Sequence, residues 1–309
     1  MHPFRFGVQL SKASSPSAWR DSARKLEDLG YSTVFMPDHF NDQYGPLVAL
    51  TVAAEATERL NVGALVFDND YRHPLVLAKE CATLDLMSEG RLEVGIGAGW
   101  MRTDYDESGF SYDSPSTRVS RMEEGVQVLK ALWDRDEADF DGSSYKLSKA
   151  HGLPRPHTSG GPKLLIGGGS RRVLKIAAEQ ADIVGVNPSL RSGDIGPETI
   201  ASAAPAHYEE RIAWVREFAG DRLADIELQC LVFAAEIGRP QMQVAEEMSA
   251  LLGFSPAEVA SSPIGIFGTE DEIVETLMGR REKWGFSYWV LHEAEIDSFA
   301  PVVSRLAGT

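Results

Sequence analysis

Short apolar runs alternate with amphipathic runs along the whole chain. The apolar runs are rich in β-branched and aromatic residues, which predicts strands. They cover residues 4–10, 31–36, 60–67, 91–100, 163–166, 182–186, 226–235 and 286–291. Between them, apolar residues recur at helical spacing, and N-cap residues or prolines mark several starts. The predicted helices cover residues 18–29, 46–60, 74–87, 118–133, 171–180, 205–219, 270–284 and 296–306.

Eight strands separated by helices predict a (β/α)8 TIM barrel with α/β architecture. Two segments do not fit the repeat and are interpreted as insertions after strands four and seven: residues 134–162, with at most a short hairpin, and residues 241–260, with two short helices. A doubly wound sheet would need Gly-x-Gly-x-x-Gly after the first strand. The chain has Gln9-Leu10-Ser11-Lys12 there, which favours one barrel domain over residues 1–309.

The composition excludes some classes of partner. A net charge of −16 argues against nucleic acid or an anionic membrane as a partner, because both attract basic patches. The chain starts directly with a strand-like run, and no apolar run approaches the ~20 residues of a membrane span, so a cytoplasmic protein is expected. Cys81 and Cys230 are expected to be buried thiols, and no ligand spacing indicates a metal.

Chemistry in a barrel of this kind lies on the loops after the strands, at the carboxyl face. Asp38 and His39 follow the second strand, and they are the best candidates for acid–base work. A histidine titrates near neutrality, and a neighbouring carboxylate can fix its tautomer. We therefore expect Asp38 to orient His39. The alternative is a capping aspartate beside a structural histidine.

Glycines follow two other strands. Gly97 and Gly99 precede Trp100 after strand four, and they allow a flat ligand to approach the backbone closely. Gly167, Gly168, Gly169 and Ser170 lead into a helix that starts with Arg171 and Arg172. Free N–H groups and the helix dipole at such a start favour a phosphate, although a plain tight turn is the alternative. Gln9 and Asn187 complete the set of polar strand ends.

With these motifs in order, the chain resembles the luciferase-like monooxygenase superfamily and, within it, the coenzyme F420-dependent oxidoreductase branch. The resemblance spans nearly the whole chain and rests on six marks. They are Phe-Gly-Val-Gln (6–9), Val-Phe-Met-Pro-Asp-His-Phe (34–40), Arg-Leu-Glu-Val-Gly-Ile-Gly-Ala-Gly-Trp (91–100), Leu-Leu-Ile-Gly-Gly-Gly-Ser (164–170), Ala-Asp (181–182) and Gly-Thr-Glu-Asp-Glu-Ile (268–273).

The resemblance implies a flavin-like ring in the barrel mouth. Asp38 and His39 would contact the deazaflavin and the reacting substrate, and Gly97 and Gly99 would back the ring. Residues 167–170 would hold its phosphate. Ala64, Leu65 and Val66 fall where many members carry a non-proline cis peptide behind the ring, and the bond is placed at Leu65–Val66. Enzymes of this type are often dimers, so a homodimer is expected.

One position departs from the pattern. Sugar-phosphate dehydrogenases of this family carry an acidic glutamate after the glycine pair, where this chain has Trp100. This puts that activity in doubt and indicates a flatter or more hydrophobic substrate, a small molecule or a modified peptide. Gln9, Trp100 and Asn187 are placed in the substrate pocket, closed by residues 103–116, 134–162 and 189–197.

Three functional hypotheses remain open. The first is hydride transfer between F420 and an organic substrate, with His39 in proton transfer. The second is an FMN-dependent monooxygenase that uses reduced flavin and O2, since the marks of the superfamily are shared. The third is a non-catalytic flavin-binding protein. The Asp38-His39 pair argues against it, because binding alone needs no titrating pair.

Overall fold

Strands and helices alternate along residues 2–309, the part of the chain that the computed structural model describes. The strands are β1 (Arg5–Gln9), β2 (Thr33–Met36), β3 (Asn61–Ala64), β4 (Phe67–Asp68), β5 (Leu92–Gly97), β6 (Ala138–Asp141), β7 (Lys146–Ala150), β8 (Lys163–Gly168), β9 (Ile183–Val186), β10 (Glu227–Leu231), β11 (Ala234–Ile237), β12 (Gly265–Gly268) and β13 (Phe286–His292). The helices are α1 (Pro16–Asp28), α2 (Pro46–Ala56), α3 (Pro74–Met87), α4 (Arg102–Ser108), α5 (Pro115–Asp134), α6 (Arg171–Gln180), α7 (Pro197–Ala201), α8 (Pro205–Ala219), α9 (Gln241–Leu252), α10 (Pro256–Ser261), α11 (Glu270–Trp284) and α12 (Ile296–Leu306).

Eight of the strands close into a parallel barrel. The order around it is β3, β2, β1, β13, β10, β9, β8 and β5, and β3 pairs with β5 to complete the ring. Helices between consecutive strands cover the outside. The predicted (β/α)8 barrel is confirmed, and the carboxyl ends of all eight strands therefore meet at one face.

Apolar side chains fill the barrel interior. Phe35, Leu165, Tyr288 and three other apolar residues form a separate inner core. Gly63 makes room for Phe35, because a Cβ there would lie 2.7 Å from Phe35 Cε1. Outside the strands, a larger apolar core joins the barrel to its helices, as a two-layer fold requires.

Charged groups fill the amino-terminal end of the barrel. Arg5 donates from Nη1 to Glu93 Oε1 and from Nη2 to Glu227 Oε2, at 2.6 Å in both cases. Tyr288 donates to Glu93 Oε2 at 2.9 Å. These paired and hydrogen-bonded groups connect four strands, β1, β5, β10 and β13. This end of the barrel is therefore structural.

Two predicted strands divide in the structure. Residues 60–67 form β3 and β4 on either side of a cis peptide bond between Leu65 and Val66. Residues 226–235 form β10, which stays in the barrel, and β11, which leaves it. β11 pairs in parallel with β12, a strand that the sequence did not predict. The two strands and α9 and α10 enclose a small apolar core of their own, which explains why the chain leaves the barrel.

The insertion after the fourth barrel strand contains the predicted hairpin, as the antiparallel pair β6 and β7. The segment predicted as a loop before it contains α4, which ends at Gly109 in the left-handed conformation (φ 76°). This helix has only seven residues, which is too short for its apolar spacing to predict a helix from the sequence. Cys81 and Cys230 are buried and free. Within residues 2–309, no helix is both long and apolar enough to cross a bilayer.

Candidate active site

A cavity of about 1410 Å³ opens at the carboxyl face of the barrel. All eight strand ends contribute to its lining, which explains why residues distant in sequence converge there. The lining residues that the sequence predicted are Gln9, Asp38, His39, Leu65, Val66, Gly97, Gly99, Trp100, Gly167, Gly168, Gly169, Ser170 and Asn187. Ala64, which was also predicted for the site, is fully buried and is not among the lining residues. The hairpin insertion, residues 134–162, does not line the cavity either.

Leu65, Val66, Gly97 and Gly99 form one wall of the cavity, named the flat wall because its two glycines carry no side chain. A Cβ at Gly97 would lie 2.6 Å from Val66 Cγ2, and one at Gly95 would lie 2.0 Å from the carbonyl oxygen of Ala64. The Leu65–Val66 peptide bond is cis, as the family resemblance implied. Gln9 Nε2 donates to the Leu65 carbonyl oxygen at 2.9 Å and so holds this wall from the side of β1.

His39 is held by a carboxylate from another loop. Its Nδ1 lies 2.6 Å from Asp104 Oδ2, on α4. Tyr71 donates to the same oxygen at 2.9 Å, and the backbone N–H of Phe40 donates to Oδ1 at 3.3 Å. The His39 ring also meets Trp100 edge-on, with centroids 5.6 Å apart at 88°. Three loops therefore fix the orientation of this imidazole at the cavity.

Asp38 does not orient His39, and this corrects the sequence prediction. Arg72 donates to both oxygens of Asp38, at 3.0 Å from Nη2 to Oδ1 and with an additional short bond from Nη1 to Oδ2. The backbone N–H of Asp68 also donates to Oδ2 at 3.1 Å. Successive side chains of an extended segment point to opposite sides, so Asp38 and His39 face different partners. The sequence missed Asp104 because its helix was predicted as a loop.

The cavity lining also contains Asp68, a carboxyl group that the sequence did not predict for the site. It is the last residue of β4, the short strand after the cis peptide bond. Burial raises the pKa of Asp68 to about 7, and the charges of Asp70 and Asp38 act in the same direction. The backbone N–H of Asp70 donates to Asp68 Oδ1 at 2.8 Å and opposes that shift. Its position directly after a barrel strand was the available signal.

The glycine-rich turn lines the cavity just before α6 begins. A Cβ at Gly169 would lie 2.5 Å from the carbonyl oxygen of Asn187, so only glycine fits there. Arg211 donates to the Gly169 carbonyl oxygen at 3.1 Å and fixes the turn. Ser170 caps the helix by accepting the Val173 N–H at 3.3 Å. The positive end of α6 therefore faces the cavity, as a phosphate requires.

The site fits a flavin or a deazaflavin. Its flat wall suits an aromatic ring, and its glycine turn suits a phosphate. Asn187 Oδ1 is buried without a hydrogen-bond partner among residues 2–309, as a group reserved for a ligand would be. The cavity exceeds the roughly 300–1,000 Å³ of most ligand pockets, so a cofactor and a substrate fit together.

Similar curated proteins include enzymes that are named for each of the two cofactors. An F420-dependent glucose-6-phosphate dehydrogenase from Amycolatopsis mediterranei is 29% identical over 168 residues, which is 52% of this chain and 50% of the relative. An FMNH(2)-dependent dimethylsulfone monooxygenase from Pseudomonas fluorescens is 29% identical over 219 residues, which is 67% of this chain and 59% of the relative. The chain thus spans between half and two thirds of the length of these curated relatives.

The fold has similar solved structures. The coenzyme F420-dependent tetrahydromethanopterin reductase from Methanopyrus kandleri superposes with a TM-score of 0.76 at 20% identity, covering 99% of this chain and 100% of that one. A family model described as luciferase-like monooxygenase matches residues 1–248. This match covers most of the chain and agrees with the observed barrel. The chain belongs to the luciferase-like monooxygenase family.

Proposed function

We propose that this protein is an F420-dependent oxidoreductase that transfers a hydride between the deazaflavin and an organic substrate. One observation carries the proposal: the His39–Asp104 pair, at 2.6 Å, faces a cavity that also has a flat wall and a phosphate-type turn. A binding protein does not need an oriented acid–base group at that position. The relative that depends on F420 gives further support.

Two regions of the cavity would hold the cofactor. Leu65, Val66, Gly97 and Gly99 offer the flat surface for the ring, and Gly167 to Ser170 offer N–H groups to its phosphate. When bound, the deazaflavin supplies the two-electron hydride chemistry, while the protein provides position and proton transfer. Asp38 supports the ring wall through Arg72 and the Asp68 backbone, rather than through His39.

His39 would move the proton that accompanies hydride transfer. Asp104 accepts from Nδ1–H, which sets the tautomer in which Nε2 accepts a proton from the cavity side. Tyr71 holds Asp104 from the other side, so the carboxylate keeps its orientation while His39 exchanges its proton. A positioned acid–base group of this kind contributes typically 10²–10⁴ in rate.

The proposed substrate is a small organic molecule with a flat or hydrophobic body. Trp100 lines the cavity next to His39, together with Val119, Leu190 and Ile195. Arg118, also in the lining, is engaged by the carbonyl oxygens of Ala98 and Asp113. Arg191 lines the cavity as well, so it is Trp100 in place of the glutamate, and not a lack of positive charge, that disfavours a sugar phosphate. Gln9 and Asn187 supply polar contacts, and a modified peptide with such a group also fits this chemistry.

FMN-dependent monooxygenation is the second candidate. The observation in its favour is the similarity to the FMNH(2)-dependent monooxygenase, which covers 67% of this chain. The same flat wall and phosphate turn would serve FMN. In this reading, His39 would instead handle a proton during the reaction of the reduced flavin.

We also propose that the protein is a homodimer. Large apolar side chains are exposed on the neighbouring helices α2 and α3: Val48 at 74%, Met87 at 53% and Val76 at 47%. Exposed apolar residues on two adjacent helices favour association with a second copy. Sedimentation equilibrium tests this, and a monomer at micromolar concentration would contradict it.

The cofactor proposal is tested by titrating F420 and FMN side by side into the purified protein, followed by fluorescence. Micromolar F420 binding is expected, and saturable reduction of F420 with a panel of alcohols should then reveal a substrate class. Micromolar binding of FMN alone would overturn the ranking of the two cofactors. Binding of neither would overturn the proposed function itself.

A further inference from the structure

Residues 98–113, the segment between β5 and α5, leave the barrel and carry two residues of the site. Trp100 lines the cavity, and Asp104, on α4, lies 2.6 Å from His39 Nδ1. The segment contains α4 but no strand, so sheet pairing does not hold it against the barrel. Its place at the cavity therefore depends on contacts from neighbouring side chains.

One of these side chains is Arg118, which reaches back from the start of α5 to both ends of the segment. Nη1 donates to the Asp113 carbonyl oxygen at 2.6 Å. Nε donates to the Ala98 carbonyl oxygen at 3.3 Å, and Nη2 donates to the Gly99 carbonyl oxygen at 3.4 Å. The guanidinium is a rigid planar fork, so one side chain can join the two ends of the segment. We call this arrangement the Arg118 clasp.

Aromatic rings pack around the clasp and connect it to the two residues of the site. The guanidinium carbon lies 4.1 Å from the centroid of the Tyr112 ring and 5.7 Å from that of the Tyr105 ring. The Tyr112 hydroxyl donates to the Trp100 carbonyl oxygen at 3.1 Å. Tyr105 precedes no gap in the packing: it is 1% exposed, follows Asp104 in the chain and meets the Tyr112 ring edge-on at 4.8 Å. A displacement of Arg118 would therefore reach Trp100 through Tyr112 and Asp104 through Tyr105.

The charge of Arg118 is held by carbonyl dipoles and aromatic faces. Its side chain is buried, with 5% of the residue exposed. The neighbouring Asp113 gives its carboxylate to Arg121 and only its carbonyl oxygen to Arg118. A buried charge is costly, and one use of such a group is to fix a single conformation rather than to add stability. The conformation that Arg118 fixes is that of residues 98–113.

We propose that Arg118 is a positioning residue: its clasp on residues 98–113 holds Asp104 against His39 and keeps Trp100 at the substrate end of the cavity. The inference deepens the proposed function and rests on it for the roles of His39 and Trp100. The His39–Asp104 contact is 2.6 Å long, and hydrogen bonds to nitrogen extend only to about 3.2 Å. A shift of α4 by about 1 Å therefore suffices to release the imidazole, and a displacement of that size can cost about 10² in rate.

Arg280 provides a matched comparison within the same chain. It is also a buried arginine with 5% exposure, and it donates to the carbonyl oxygens of Ala260, Ser262 and Pro263, in the loop before β12. None of these four residues lines the cavity. A variant of Arg280 therefore reports what the loss of a buried, carbonyl-binding guanidinium does to the fold as a whole.

Lysine is the informative substitution at both positions, because it keeps the charge and loses the fork. The test measures the ¹⁵N ring shifts of His39 by NMR and the urea unfolding of the wild type, Arg118→Lys and Arg280→Lys. We expect both variants to unfold at lower urea concentrations than the wild type, whereas only Arg118→Lys turns His39 into a mixture of tautomers. An unchanged His39 in Arg118→Lys, or an equal change in Arg280→Lys, would overturn the positioning role.

A second measurement needs no variant. In arginine-labelled wild-type protein, the Arg118 side chain is identified by its NOEs to the Tyr112 ring. Its Nη–H groups should give separate signals that exchange slowly with water, because the clasp hinders rotation of the guanidinium. A freely rotating, rapidly exchanging Arg118 would overturn the proposal.

Turnover distinguishes this inference from the proposed function. With a substrate from the alcohol panel, Arg118→Lys should lower kcat by about tenfold or more and raise KM, and Arg280→Lys should change each by less than about threefold. Wild-type values of kcat and KM in Arg118→Lys would overturn the positioning role. If neither F420 nor FMN binds the wild type while His39 still responds to Arg118→Lys, the clasp stands and the proposed function fails.

Discussion

Nδ1 of His39 lies 2.6 Å from Oδ2 of Asp104, a residue 65 positions further along the chain. The two residues come from the loops after β2 and β5, so this contact exists only in the closed barrel. Asp104 has 3% side-chain exposure and His39 has 19%, so the carboxylate is the buried partner and the imidazole reaches the cavity. In the proposed mechanism, Asp104 orients the imidazole and His39 meets the substrate.

His39→Ala should lower kcat by about 10²–10⁴, because it removes a positioned acid–base group. Cofactor affinity should change by less than about threefold, since the ring wall and the phosphate turn do not depend on this side chain. Single-turnover kinetics on a substrate from the alcohol panel, together with cofactor titration, separate the two effects. Full turnover in the variant would exclude His39 from proton transfer.

Asp104→Asn should act through His39. The amide can present N–H to the imidazole, so the tautomer is no longer fixed and kcat should fall by about tenfold or more. The ¹⁵N shifts of the His39 ring should show a change in tautomer, which a purely structural role would not produce. Asp106→Asn is the matched control, on the same helix but 58% exposed. Equal behaviour of the two variants would argue against the orienting role.

Asp68→Asn should stabilise the protein at neutral and alkaline pH. The pKa of Asp68, about 7 in the folded state, exceeds the ordinary 3.8, so the folded state binds the extra proton between these values. The free energy of unfolding of the wild type therefore decreases as pH rises from about 4 to about 7, by at most about 4 kcal/mol. Urea unfolding at several pH values should show a gap between variant and wild type that widens over this window. A constant gap would contradict the raised pKa.

Gly99→Ala should destabilise the protein by roughly 3 kcal/mol. Its φ is 74°, and a Cβ would lie 1.9 Å from the hydroxyl oxygen of Tyr105, a residue that is 1% exposed and has no room to move. Gly109→Ala is the control: its φ is 76°, with no atom within 4 Å of the new Cβ. It should cost only about 1 kcal/mol for the left-handed backbone. Equal losses in denaturant unfolding would mean that the clash is relieved.

Gly169→Ala should weaken phosphate-bearing ligands selectively. The new Cβ would lie 2.5 Å and 2.7 Å from the carbonyl oxygens of Asn187 and Pro188, so the turn must open. We expect at least a tenfold loss for FMN and less than about threefold for riboflavin, which lacks the phosphate. Gly279→Ala, on α11 with open space around it, should bind both like the wild type. Equal losses for FMN and riboflavin would place the phosphate elsewhere.

The repeat of strands and helices could be predicted because each barrel strand is a short apolar run between punctuating residues. α3, α6, α8, α11 and α12 begin and end at the predicted residues. Strand pairing outside the barrel could not be predicted in this way. β11 and β12 are neighbours in the sheet although α9 and α10 separate them in the chain. The residues of β11 are all half-buried and β12 contains two glycines, so neither strand has a clear alternation of apolar and polar residues.

The residues of the site could be predicted where the end of a barrel strand fixes their position. Their roles could not be predicted where the role depends on which side chain lies beside them. Of the residues assigned to the cavity, Gln9 and Gly97 end barrel strands, His39 and Asn187 follow them, and all four line the cavity. The partner of His39 was assigned by proximity in sequence to Asp38. In the structure, Arg72 binds the Asp38 carboxylate, and Asp104, on the unpredicted helix α4, is the partner of His39.

The short segment between β5 and α5 contains two residues with different proposed roles. Trp100 lies at the proposed substrate end of the cavity, and Asp104, four residues later, contacts His39. Apart from Gly99, the proposed ring wall and the turn at Gly169 belong to other parts of the chain. In the proposed mechanism, exchange of the residues after Gly99 between family members would therefore alter substrate choice and proton delivery together, while the cofactor stays in place. A barrel built in this way can acquire new reactions by replacing a cassette of fewer than twenty residues.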